Sequence, residues 1–198
     1  MASFEQSVGE YVGKVVISGS IVLGPDPNGT REKVPMTGMV RIREWPTAGY
    51  ERRTLEDGRT QIDLEMVESR VEGRMESSSG DIRISETTVR LNPGTLTQER
   101  PGEDFPAAFE LARYISVETP IGLLHNEDPI MIEATLTSIP PVTTEETMEG
   151  PNVFQAVNTP VPLLTESGEV AAYFSGSRAA KDNCVVRMVE AEAVAPAE

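Results

Sequence analysis

Residues 105–141 read FPAAFELARYISVETPIGLLHNEDPIMIEATLTSIPP, the longest passage in which apolar, turn-forming and proline residues all point to one local structure. Phe109, Leu111, Ile115 and Val117 alternate with Glu110, Ala112, Ser116 and Glu118. A period of two places one apolar row on one face of a pleated strand. Thr119-Pro120 breaks that strand, residues 121–124 form a short apolar piece, and HNEDP makes a loop. Ile130, Ile132, Ala134 and Leu136 then give a second alternating row that Pro140-Pro141 stops.

The same period recurs along the chain. Tyr11, Val15, Ile17, Ile21 and Leu23 share one parity, with Gly13 and Gly19 in the same row, where a missing side chain permits a bulge or a close backbone approach. Val34, Met36, Val40 and Ile42 mark a second strand. Asp57-Gly58, between two strand-like runs, predicts a two-residue turn that sets Arg53 opposite Ile62 and pairs Arg52 with Asp63. Ile82, Ile84, Val89 and Leu91 are expected to point inward, followed by strands over 153–161, 170–174 and 185–189. Apolar spacing of three and four is not sustained anywhere, so long amphipathic helices are not expected. The pattern predicts an all-β fold: an antiparallel β-sandwich or β-barrel of about eight to eleven strands. It occupies one domain over residues 1–190, with a disordered acidic tail over 191–198.

Composition removes several classes of function. The chain carries 32 acidic and 17 basic residues, a net charge of −15, which opposes binding to nucleic acid or to an anionic membrane. Cys184 is the lone cysteine, so neither a disulfide framework nor a cysteine-rich metal site can form. The first residues show no basic-then-apolar leader, which leads to the expectation of a cytoplasmic protein. A phosphate-cradling glycine loop, a nucleophile elbow and the HExxH zinc pattern are all missing from the sequence, so no cofactor and no metal is expected.

Three residues stand out as candidate ligand-binding groups. Arg113 shares the parity of Phe109, Leu111, Ile115 and Val117, so alternation points a guanidinium into the core. It then needs a carboxylate or a ligand anion, unless it snorkels to a barrel mouth or a bulge near Ala112 flips the register. His125, the single histidine, lies in HNEDP beside acidic neighbours that suit it to proton transfer. Trp45, the single tryptophan, precedes a proline and either lines a ligand cleft or caps the core.

An aromatic-led strand, a short apolar segment, an asparagine-containing turn before proline and a strand ending in Ile-Pro-Pro together resemble a family of uncharacterised bacterial β-rich domains. The resemblance, confined to residues 105–141, implies an all-β domain and carries no activity. The leading functional expectation is a cofactor-free β-domain that binds a small apolar molecule or a protein partner. One alternative is a cyclase or isomerase that uses Arg113 or His125 in a barrel cavity; another is a structural assembly subunit.

Overall fold

The computed structural model describes residues 9–44, 52–76, 79–87, 89–143, 149–175 and 184–194. Fourteen strands run in order: β1 (Glu10–Leu23), β2 (Arg31–Glu44), β3 (Arg53–Thr54), β4 (Thr60–Arg74), β5 (Asp81–Glu86), β6 (Pro93–Gln98) and β7 (Ala107–Arg113). They continue as β8 (Ile115–Thr119), β9 (Gly122–His125), β10 (Ile130–Leu136), β11 (Val153–Ala156), β12 (Val161–Leu164), β13 (Val170–Ser175) and β14 (Val185–Val194). No helix occurs among the described residues, and so none is long and apolar enough to cross a membrane.

The ladders between these strands are antiparallel and resolve into eight positions. β1, β2 and β4 are single long strands, and the two-residue β3 pairs with β4 alone. Each of the other five positions is a strand broken in two: β5 with β6, β7 with β8, β9 with β10, β11 with β12, and β13 with β14. The two halves of each broken strand pair with the two halves of the next one. At one end of the series both β5 and β6 lie on β4; at the other, both β13 and β14 lie on β1. The sheet is therefore a meander in which the last position returns to the first and closes a ring. The fourteen strands exceed the eight to eleven expected, because five of the positions are broken in two.

The alternating apolar rows face the inside of this ring. Tyr11, Val15, Ile17, Leu64, Phe109, Leu111, Ile132 and Met188 are all buried, and Phe109 meets Phe154 edge to face with ring centroids 5.2 Å apart. On β4 the ladder slips between Arg41 and Ile42 of its partner, so that Val67 is the extra residue. The inward row consequently moves from Ile62, Leu64 and Met66 to Ser69, Val71 and Met75. Close approach of the backbones explains Gly38, where an added Cβ would lie 2.0 Å from the Arg70 carbonyl oxygen.

Three expectations are corrected. The hairpin before β4 is shifted by one residue: Arg53 pairs with Gln61 and Thr54 with Thr60, and Leu55 N–H donates to the Arg59 carbonyl. Gly58 takes φ +84° whereas Asp57 is not in the left-handed region, so the loop has three residues rather than two. Asp63 accordingly pairs with Arg53 at 2.8 Å, and Arg52 pairs with Glu44 at 3.2 Å. Val89 and Leu91 are exposed, because β5 ends at Glu86 and the chain leaves the sheet there. The strand continues into the acidic tail, since Ala191 to Val194 pair with Glu10 to Gly13 of β1 and alternation lets Glu190 and Glu192 project outward. Residues 195–198 lie outside the described residues.

Candidate functional site

The strand breaks define the site, because a broken ladder leaves backbone groups that need new partners inside a sheet. Asparagine side chains provide them. Asn126 Oδ1 accepts from Ile115 N–H at 2.7 Å, and its Nδ2 donates to the carbonyls of Arg113 at 2.9 Å and Asp128 at 2.8 Å. Asn92 Oδ1 accepts from Tyr114 N–H, while its Nδ2 donates to Glu86 Oε2. Asn158 accepts from Met131 N–H and donates to the Pro129 carbonyl, both at 2.8 Å. These amides, drawn from three of the five breaks, act as backbone surrogates at the β7–β8 and β9–β10 breaks, and so those breaks are fixed features of the fold.

Arg113 ends β7 at this level and points inward, as the alternation required. It is 6% exposed, and its Nη2 donates to Ser69 Oγ at 2.6 Å and to Glu86 Oε1 at 3.0 Å. Glu86 occupies the inward row after Ile82 and Ile84, so two strands deliver opposite charges to one interior point. Its carboxylate is shared between Arg113 and Asn92. Arg113 Nε is buried and has no hydrogen-bond acceptor. An arginine stays protonated in a protein, so that N–H is a standing donor in an apolar interior.

Arg113 lines two interior voids of about 10 and 30 Å³. The first is bounded by Met36, Ile130 and Cys184 among others, and the second by Met66, Phe109 and Met188. Each is on the scale of one water molecule. Cys184 is buried, and desolvation pushes its thiol from 9.0 up to about 12 although Arg113 pulls the other way. It is therefore a protonated core residue, and thiolate chemistry is closed to it at neutral pH.

His125 is separate from this interior point. It closes β9, pairs with Ser116 on β8 and Leu164 on β12, and lines a groove of about 620 Å³ on the outer surface with Arg90, Leu123, Glu127 and Glu166. Arg113 does not line that groove, so the two residues do not form one site. Trp45 lies outside the described residues. Among the described residues, no cluster of His, Cys, Asp or Glu could hold a metal ion.

Sequence reasoning missed Glu86 and Ser69. Glu86 was within reach of the same parity argument that singled out Arg113, since DIRISE alternates through its last residue. Ser69 was hidden by the ladder slip at Val67, which reverses the inward parity of β4.

Residues 10–160 match the family described as "Family of unknown function (DUF6004)". No curated protein matches the chain. Among solved structures, DynF from the dynemicin biosynthesis pathway of Micromonospora chersina is similar in fold, with a TM-score of 0.65 over 92% of this chain and 82% of that one, at 17% identity.

Proposed function

We propose that this chain, which belongs to the DUF6004 family, binds a small, largely apolar molecule inside the closed sheet, with Arg113 holding an acceptor oxygen of the ligand. The observation that carries the reading is the orphan Nε–H of Arg113, buried beside two apolar voids. Leaving such a donor unmet costs about 1–3 kcal/mol or more when charged, so an acceptor oxygen delivered by a ligand recovers that energy. A ligand larger than one water must displace side chains. Met36, Met66 and Met188 line the voids, and their unbranched thioethers are the most adaptable fillers of such space.

A thermal-shift screen of small apolar acids, alcohols and ketones tests this, since a ligand of the native state raises the melting temperature. The reading expects stabilisation by members bearing an acceptor oxygen and none by the matching hydrocarbons. Equal shifts from both, or none from either, would contradict it.

A second reading is an enzyme of the cyclase or isomerase type, with Arg113 and Glu86 as its electrostatic and proton-transfer pair. It is supported by the pairing of opposite charges within an apolar interior and by the biosynthetic setting of the structural neighbour DynF.

A further inference from the structure

We infer that the outer groove floored by Ser116 and His125 is a docking surface for a cationic, apolar-anchored segment of another protein. Three independent features of the groove converge on that occupant.

The first is misplaced hydrophobicity. Val89 is 88% exposed and Leu123 51% exposed, and both line the groove. Leu91 and Ile121, two residues from each of them in sequence, are also more than half exposed. Among the described residues, the exposed large apolar side chains comprise these four together with Met39 and Val194. A sheet that buries its apolar rows so thoroughly elsewhere has no folding reason to leave Val89 and Leu123 exposed in one groove, and apolar side chains gathered in a surface groove mark a contact site.

The second is shape. The groove measures about 620 Å³, and its lining includes Thr87, Val89 and Arg90 together with Glu127 and Glu166. It adjoins the thinnest seam of the ring, where β9 and β12 share the single pairing of His125 with Leu164. Beyond that pair, Gly122 to Leu124 ladder with β8 alone. An extended segment laid along β9 would thus find backbone groups as well as side chains to meet.

The third is charge. Glu127 and Glu166 form no ion pair among the described residues. The groove's one arginine, Arg90, is already engaged: its Nη1 donates to the Glu127 carbonyl at 2.5 Å and its guanidinium lies 5.0 Å from the Tyr114 ring centroid. Two carboxylates with no ion pair among the described residues, lining a groove on a chain of net charge −15, favour a basic occupant and disfavour an acidic one, including a second copy of the chain.

The test uses the full chain and synthetic extended peptides in which leucine or valine alternates with lysine, with glutamate-for-lysine and serine-for-leucine versions as controls. Fluorescence anisotropy should show binding of the lysine–leucine peptides only. Leu123→Glu and Glu166→Lys, both on exposed positions, should each weaken it about ten-fold, the loss of one well-placed contact. Charge reversal should also let the glutamate peptides bind to Glu166→Lys. Binding that ignores both variants, no binding at all, or self-association in light scattering that Leu123→Glu abolishes would overturn the inference. A failure here leaves the interior site untouched, because none of these residues lines its voids.

Discussion

Arg113 and Glu86 meet inside the closed sheet with Nη2 3.0 Å from Oε1, each carried there as the last residue of a strand that then breaks. The ion pair and the strand breaks are one feature. A residue at a strand end can lean toward a neighbour without disturbing a continuous ladder, and Asn92 and Asn126 satisfy the backbone freed just after Arg113.

That pairing makes the two side chains interdependent. Arg113→Met should destabilise by about 3–5 kcal/mol, because Glu86 is left as a buried charge without its partner. Adding Glu86→Gln should restore most of the loss. Urea denaturation of the two variants and the parent checks this, and additive losses in the double variant would rule out the coupling.

Asn126→Ala removes the surrogate at the β7–β8 break and strands Ile115 N–H and the Arg113 carbonyl. Each buried group left unmet costs about 1–3 kcal/mol, so a loss of about 2–6 kcal/mol is expected in the same measurement. A loss below 1 kcal/mol, on the scale of an ordinary net hydrogen bond, would mean that the break does not depend on the amide.

Backbone contact distinguishes two glycines of the long strands. Gly38→Ala should cost about 1–3 kcal/mol by forcing β2 and β4 apart, since the new methyl meets backbone atoms. Gly19→Ala places its Cβ 3.4 Å from Met36 Cε and 3.5 Å from Cys184 Sγ, which is ordinary contact, and should be nearly neutral. Comparable losses would contradict the close approach.

Alkaline pH should weaken the fold through Cys184. Its folded value is raised by burial from 9.0 to about 12, so the unfolded chain ionises first and binds fewer protons. Stability is then full below pH 9 and declines as pH rises from about 9 toward 12. Burial moves Tyr11 in the same direction. In Cys184→Val the decline should begin later, with the tyrosine; an unchanged profile would refute the assignment.

Much of this architecture was legible because burial in a sheet is written as parity. The rows through Ile17, Leu64 and Phe109 needed nothing but alternation, and the same rule turned Arg113 inward. What stayed hidden depended on counting across an interruption. One residue of slip at Val67 concealed Ser69, one residue of turn length moved the partner of Asp63 from Arg52 to Arg53, and the end of β5 turned Val89 and Leu91 outward. The outer groove had no sequence signal, since it is built from residues of four separated segments.

The interior site is tested most directly by carbon-13 spectra of the methionine methyls during titration with anilinonaphthalene sulfonate, an apolar probe with acceptor oxygens. Saturable shifts of Met36, Met66 and Met188, with exposed Met39 unmoved and the shifts lost in the Arg113→Met/Glu86→Gln double variant, are the predicted result. Interior methyls that stay fixed while the probe binds, or that respond equally in the double variant, would contradict the account.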